Sequence, residues 1–311
     1  MKTKKNYLLM IALITVTFFG AGCSKEEEGS NELKVTTNVT KSLTKSMVSE
    51  FSGSTIGVFV EGISNSTATV STGANAVAVT PSIPITADAT VYAWYPATGG
   101  EITNPTSTST KDITVVNADD FSATAQTDYL YATPVTVTTE NRTAELTFKH
   151  ALSKVIFKVK KVENLSGTGV LSKISLTASD DTYKFLSGSG TMTIADGSIS
   201  GLTATDNLTY TGSYTLTTTA QEAVALVAPA TLAASTSATP TITITLTIDD
   251  DDSYFTTLPV LETSEWAAGN TYTYNITVKN GELIIGNVSI SGWASNDETS
   301  LDVEPETIID D

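Results

Sequence analysis

Several stretches of the chain alternate apolar and polar residues with a period of two. In the clearest of them, Ile242, Ile244, Leu246 and Ile248 alternate with threonines. Because successive side chains of a β-strand point to opposite faces of a sheet, this pattern predicts half-buried antiparallel strands. The same pattern predicts further inward-facing sets: Val155, Phe157 and Val159 against Lys154, Lys158 and Lys160; Tyr272, Tyr274, Ile276 and Val278; and Ile284, Val288 and Ile290 with Gly286.

Turn signals separate these stretches. Asn280 and Gly281 predict a hairpin that joins the strand at 271–279 to one beginning near Glu282. Gly188 and Gly190 predict another turn. Many short strands at this spacing indicate an all-β protein built of antiparallel β-sandwiches.

The length of the chain bears on its domain organisation. At 311 residues it is too long for one small sandwich and suits two domains of ordinary size. We place a first sandwich at 34–145 and a second at 146–311. The strands on either side of this boundary have similar patterns, so the boundary rests on length alone.

Charge and rare residues exclude several functions. The formal net charge is −17, and a surface this acidic repels nucleic acid, so nucleic-acid binding is not expected. The chain has one His, His150, and one Cys, Cys23. A nucleophile–base–acid set would have to be built around His150, which lies within a strand-like run. We therefore expect a hydrogen-bonded structural role for His150, no enzymatic activity and no cofactor.

The first residues have the features of an export signal. Residues 1–22 begin with lysines and continue with an apolar run that is too short to span a membrane permanently. Small residues then precede Cys23, as in a bacterial lipobox, although Gly20 stands where Leu is commoner. The alternative is a plain secretory signal. We predict that Cys23 is lipidated and that residues 23–33 form an acidic tether to the outer membrane.

Two other groups of residues have the types found in binding sites. Asp249, Asp250, Asp251 and Asp252 carry the oxygen ligands that Ca²⁺ prefers, but they stand between two predicted strands. We favour an exposed hairpin turn over a calcium site and predict no metal. Tyr92, Trp94 and Tyr95 have the residue types of a sugar-stacking platform. Alternation places Tyr95 on the opposite face from the other two, and we favour core packing.

Several strand-like segments follow one another in a set order, with Trp293 close behind the last: 51–59, 91–96, 128–132, 146–155 and 266–278. Their order resembles the fimbrillin-like family of Bacteroidetes, whose members are related to type V pilins. The resemblance implies two tandem antiparallel β-sandwiches of transthyretin-like, Greek-key topology. It also implies export as a lipoprotein to the cell surface and polymerisation with other pilin subunits, with a host or bacterial surface ligand as a further partner.

Family members assemble by strand exchange after a surface protease removes an N-terminal strand, often by cutting after an Arg. No Arg lies between Cys23 and Arg142, so Lys41 and Lys45 are the candidate cut sites. Without a cut, the subunit would stay lipidated as an anchor or accessory subunit. The main alternative function is a monomeric surface lipoprotein that binds host or dietary glycan.

The resemblance also implies that a C-terminal segment fills the groove of a neighbouring subunit. The candidate donor lies near 282–291, where apolar residues alternate and charges are few. An equally weighted alternative is that this segment is the last strand of its own domain. The candidate donor residues are Leu283, Ile284, Ile285, Val288 and Ile290.

Overall fold

The fold of the described part of the chain consists of β-strands and their connections. The computed structural model describes residues 31–39, 55–62, 65–69, 78–98, 106–116, 120–121, 126–178, 184–231, 242–250, 252–258, 265–280, 282–293 and 299–301. These residues contain strands and turns and no helix, which confirms the all-β prediction. A search of the same residues for a membrane-spanning helix finds none. All of them belong to one compact unit, Asn31–Asp311.

The strands of the first half are short, and most of them are rich in β-branched and aromatic residues. Their bounds are β1 (Lys34–Val39), β2 (Thr55–Val60), β3 (Asn65–Thr69), β4 (Ala78–Thr80), β5 (Ala89–Tyr95), β6 (Thr110–Val115), β7 (Leu130–Ala132), β8 (Val135–Val137) and β9 (Thr143–His150).

The second half contains the longer strands. Their bounds are β10 (Ser153–Lys161), β11 (Val170–Ala178), β12 (Phe185–Thr193), β13 (Ile199–Ser200), β14 (Thr203–Thr205), β15 (Asn207–Thr215), β16 (Gln221–Val227), β17 (Ala230–Thr231), β18 (Ile242–Ile248), β19 (Asp252–Thr257), β20 (Glu265–Trp266), β21 (Asn270–Lys279), β22 (Glu282–Gly292) and β23 (Thr299–Leu301).

The first half forms an eight-stranded sheet. Its order is β1-β9-β7-β5-β2-β3-β4, with β8 also paired to β5. The β1–β9 pair is parallel, and the other pairs of this sheet are antiparallel. The alternation of β9 sends every second side chain inward, as expected for a strand with one buried face. The first core contains Leu33, Val35, Ile56, Val58, Val60, Ile83, Ile85, Val91, Ala93, Leu130, Ala132, Val137, Ala144, Leu146 and Phe148.

The second half has two sheets that share one core. Their orders are β16-β10-β21-β22-β23 and β15-β11-β18-β19. The predicted hairpin is confirmed, because β21 and β22 are antiparallel with Lys279 opposite Glu282. The predicted inward residues of β10, β18 and β21 are all buried in this second core: Val155, Phe157, Val159, Ile242, Ile244, Leu246, Ile248, Tyr272, Tyr274, Ile276 and Val278.

The prediction for the inward face of β22 was wrong at Ile284. The register between β21 and β22 shifts between Tyr274 and Ile276, so that Gly286 and Asn287 together oppose a single residue. Such a bulge moves the alternation by one position. The residues of β22 that contact the second core are therefore Leu283, Ile285, Val288 and Ile290.

The turn predicted at Gly188 and Gly190 was also wrong, since both residues lie inside β12. One edge of β12 pairs with β6 from the first half, and the other pairs with β14 and then β13. Gly188 has a φ of 88°, a left-handed value that residues with side chains rarely adopt. It lies where pairing with β14 gives way to pairing with β13. This glycine therefore takes up an irregular backbone position within the strand.

Phe121, which lies between β6 and β7, connects the first half of the chain to the second. The N–H of Phe121 donates to the carbonyl of Thr211 (2.9 Å), and the carbonyl of Phe121 accepts from the N–H of Val224 (2.8 Å). Its ring is 1% exposed and belongs to the second core. A Cβ atom at Gly212 would lie 2.3 Å from this ring, so glycine is required there. Phe121 thus bridges β15 and β16.

The side chain of Gln126 continues this contact along β16. Its Nε2 donates to the carbonyl of Val224 (2.7 Å), and its Oε1 accepts from the N–H of Leu226 (2.6 Å), in the manner of a neighbouring strand. The two halves are therefore interlocked by β6, Phe121 and Gln126. The boundary predicted between residues 145 and 146 falls within β9, and the division into two tandem domains stays a prediction.

Candidate functional site

The residues predicted for strand exchange fall into two groups. Cys23, Lys41 and Lys45 lie outside the described residues, and their roles stay predictions. The predicted donor residues lie in β22, and the first strand of the described chain is β1. Of the elements predicted to take part in strand exchange, the structure therefore describes β1 and β22.

β1 pairs with β9 on one edge, and the residues just before it have backbone partners on the other side. One edge is parallel to β9 along its whole length. On the other side, the N–H of Leu33 donates to the carbonyl of Ile83 (2.8 Å), and that of Ile85 donates to the carbonyl of Asn31 (2.6 Å). Leu33 and Val35 are 5% and 0% exposed and belong to the first core. Removal of the whole segment 31–39 would leave unpaired backbone at β9 and at residues 83–85, with an apolar groove between them.

β22 is held mainly by β21. The pairing runs from Glu282 to Gly292, interrupted by the bulge, whereas β23 covers the opposite edge only from Val288 to Ile290. Leu283 is 7% exposed and Val288 is fully buried. In this structure β22 completes a sheet of its own chain.

Four buried polar and aromatic side chains meet where the two halves touch. We call Asp128, His150, Lys154 and Trp293 the junction cluster. The Nδ1 of His150 lies 2.9 Å from a carboxylate oxygen of Asp128, which accepts its hydrogen bond. The ring of His150 stacks on that of Trp293, with centroids 3.9 Å apart and planes 2° apart. The Nζ of Lys154 lies 5.8 Å from the centroid of the Trp293 ring, within cation–π range.

Burial sets the electrostatics of the junction cluster. Desolvation lowers the pKa of Lys154, and the negative charges of Asp128 and Glu222 act against this shift. Removing one partner of such a buried group leaves the other charge uncompensated, which typically costs about 3–5 kcal/mol. Loss of any one charged member of the cluster would therefore destabilise the fold.

The junction cluster has the geometry of a structural contact. The side chains of His150 and Asp128 are each 3% exposed, so a dissolved substrate has no access to them. The Nε2 of His150 is buried and has no hydrogen-bond partner among the described residues. The hydrogen-bonded role predicted for His150 is confirmed.

Sequence reasoning missed most of the junction cluster. It placed Lys154 on the solvent face of β10, yet Lys154 is 1% exposed. It did not pair Asp128 with His150, although both lie in segments that carry the family resemblance. Through Trp293, the junction cluster joins an apolar shell that draws on both halves and contains Phe59, Tyr92, Trp94, Ile113, Val115, Tyr129, Ala151, Leu152, Met192, Ile194, Leu226 and Trp293 itself.

The Asp249 carboxylate is engaged within the protein. It accepts hydrogen bonds from the Thr168 hydroxyl and from the N–H groups of Gly169 (3.0 Å) and Val170 (2.8 Å). These bonds lower the pKa of Asp249 to about 2. The hairpin predicted here is confirmed by the antiparallel pairing of β18 and β19. The described residues contain no cluster of three metal-ligating side chains.

The aromatic residues considered as a sugar platform are used in packing. Tyr92 and Trp94 are each 4% exposed and belong to the apolar shell of the junction cluster. Tyr95 packs on the opposite face against the first core. Core packing and the predicted division of faces are therefore confirmed. A different aromatic residue, Phe255 on β19, is 72% exposed.

The comparisons with known proteins give a consistent result. The fimbrillin-like family model matches residues 28–293. A Bacteroides ovatus protein named for cell adhesion has a TM-score of 0.61 at 18% identity, covering 86% of this chain and 100% of its own. A Bacteroides uniformis protein, likewise named for cell adhesion, has a TM-score of 0.60 at 15% identity, covering 84% and 98%.

A fimbrial protein from Bacteroides vulgatus has a TM-score of 0.50 at 12% identity, covering 84% of this chain and 99% of its own. At these identities the likeness is one of fold. A comparison with curated proteins finds no match. Because the family model spans most of the sequence, the chain belongs to the fimbrillin-like family.

Proposed function

We propose that this chain is a structural or accessory subunit of cell-surface fimbriae and that it assembles by donor-strand exchange. The observation that carries the proposal is the position of β1. It precedes the rest of the sheet in sequence and pairs with β9 in parallel, and it buries Val35 in the first core next to Leu33, the residue before it. A single cut after β1 frees this strand from the chain, because no other described strand precedes it.

The groove that β1 fills suits an incoming strand. The edge of β9 supplies backbone hydrogen bonds, and the first core supplies pockets for alternate apolar side chains. β22 carries apolar residues and few charges, so it has the chemistry of a donor. We propose that β22 of one subunit replaces β1 of the next, and that Lys41 or Lys45 is the cut site.

The remaining parts of the proposal concern location. Acylation of Cys23 would anchor the newly exported subunit in the outer membrane, since acyl chains contribute roughly 0.8 kcal/mol per buried CH₂. A cut after Lys41 or Lys45 would then release the subunit from its lipid. An uncut subunit would remain at the cell surface as an anchor or accessory subunit.

The alternative function is a monomeric glycan-binding lipoprotein. The aromatic residues that favoured it in the sequence are not placed to bind a sugar. Tyr92 and Trp94 are buried, and so neither ring is available to stack on a sugar. The exposed ring of Phe255 is a single residue and does not form a platform by itself.

The proposal is tested by blocking the cut. Cells would express the wild-type chain, a Lys41→Ala/Lys45→Ala double variant, and a Lys34→Ala control. Lys34 lies upstream on β1 with an exposed side chain, so its loss should leave processing intact. Surface extracts would be run in SDS without boiling. We expect high-mass ladders from the wild type and the control, and a monomer from the double variant. Ladders from all three, or from none, would refute the proposed cut.

A further inference from the structure

The residue that directly follows β22 is anchored in the junction between the two halves. Trp293 is 2% exposed, and its N–H donates to the carbonyl of Gly269 (2.6 Å). Its ring stacks face to face on His150 and lies beneath Lys154. Both partners belong to other strands, because His150 ends β9 and Lys154 lies in β10. Trp293 therefore ties the end of β22 to both halves of the protein.

The partners of Trp293 are themselves fixed. The carboxylate of Asp128 accepts the hydrogen bond of His150 Nδ1 at 2.9 Å and so fixes the orientation of the imidazole ring. β9 is also paired to β7, with Leu130 opposite His150. The surface on which Trp293 stacks thus belongs to the first half and is built independently of β22.

The rest of β22 is held by its hairpin partner β21 and has few partners on its outer edge. The bulge interrupts its pairing with β21, and β23 reaches only Val288, Ser289 and Ile290 on the other edge. Residues 284–286 are half-buried. The outer edge of β22 is therefore sparsely paired, while Leu283 and Val288 hold the strand in the second core and Trp293 fixes its end.

We infer that the junction cluster is a lock on β22: Trp293, stacked on His150 and covered by Lys154, keeps the strand in its own sheet until the stack opens. This inference rests on the proposed function, in which β22 is the donor. The lock would keep β22 from leaving its own chain before a neighbouring groove is available. It also gives a role to the buried His150–Asp128 pair, which orients the ring that Trp293 contacts.

The test measures the local opening of β22 in the full chain by hydrogen exchange. Trp293→Leu removes the stack and the cation–π contact but keeps an apolar side chain. Trp94→Leu is the matched control, because Trp94 is an equally buried tryptophan of the same apolar shell and lies on β5. We expect the amides of β22 in Trp293→Leu to exchange about tenfold faster or more, relative to those of β10. In Trp94→Leu this ratio should stay at its wild-type value.

A second variant keeps the test decisive if Trp293→Leu does not fold. His150→Gln removes the stacking ring, leaves every apolar side chain in place and keeps a hydrogen-bonding group next to Asp128. It should raise the β22-to-β10 ratio in the same direction. An unchanged ratio in the folded variants, or an equal rise in Trp94→Leu, would overturn the lock. The result does not depend on polymer formation: faster opening without SDS-resistant ladders would support the lock and count against β22 as the donor.

Discussion

β1 and β22 are both strands with sparse pairing on one edge, but they are held in different ways. β1 is one segment in a parallel pair, and its core contacts are aliphatic. β22 is half of a hairpin, and its end carries a tryptophan that stacks on a histidine from the other half. A cut after β1 would break its covalent link to the strands that follow, whereas β22 would have to separate from both β21 and the junction cluster. If β1 is the strand that is removed and β22 the strand that is donated, as proposed, the two steps need different triggers.

The largest expected effect comes from placing a charge in either strand. Val35 and Val288 are both fully buried, the first in β1 and the second in β22. Val35→Asp and Val288→Asp should each cost about 4 kcal/mol or more in free energy of unfolding, since the carboxylate has no partner in an apolar core. Urea denaturation measures the cost, and hydrogen exchange locates it.

The two variants should lose hydrogen-exchange protection in different strands. Val35→Asp should remove protection first from β9, next to β1, whereas Val288→Asp should remove it first from β21 and β10. If both variants lost protection evenly over all sheets, β1 would not be separable from the rest of the fold, and the proposed strand removal would be contradicted.

Phe121→Ala should have the next largest effect. The residue belongs to the first half of the chain but fills the second core between β15 and β16. Its truncation should cost about 3–5 kcal/mol in urea denaturation and expose the amides of β15 and β16. Phe255→Ala is the control, because that ring is 72% exposed and its loss should change stability by less than about 0.5 kcal/mol. Equal costs for the two variants would mean that Phe121 does not connect the halves.

The smallest effect concerns pH. The pKa of Asp249 is lowered from its ordinary 3.8 to about 2, so the ionised carboxylate stabilises the fold above pH 3.8. This contribution should be lost as the pH falls from 3.8 toward 2. Asp249→Asn should therefore melt below the wild type at pH 7, and the two melting temperatures should converge near pH 2. A constant difference across this range would show that the carboxylate charge has no role in holding Thr168, Gly169 and Val170.

Periodicity predicted the strands with strict alternation and failed where a local irregularity shifts the register. The inward residues of β18 and β21 were predicted correctly, because these apolar sets face one core without interruption. The inward face of β22 was predicted wrongly at Ile284, since a bulge depends on its partner strand and has no signature in the segment itself. Gly188 was predicted to lie in a turn because glycine marks turns and irregular positions within strands alike.

The junction cluster could not be predicted, for a different reason. Asp128, His150 and Trp293 are far apart in sequence, and their contact depends on how the two halves pack. Lys154 occupies a polar position of its strand, so the alternation placed it in solvent. A buried lysine requires an aromatic or acidic partner, and its partner Trp293 comes from the far end of the chain. Contacts of this kind are set by tertiary packing.

The central claim, that a strand is removed before assembly, is tested most directly by the N-terminal mass of the protein recovered from the cell surface. The account predicts a chain that begins after Lys41 or Lys45, without lipid and without β1. A chain that still begins at acylated Cys23 would contradict it, and the protein would then be an uncut anchor, an accessory subunit or a monomeric binder.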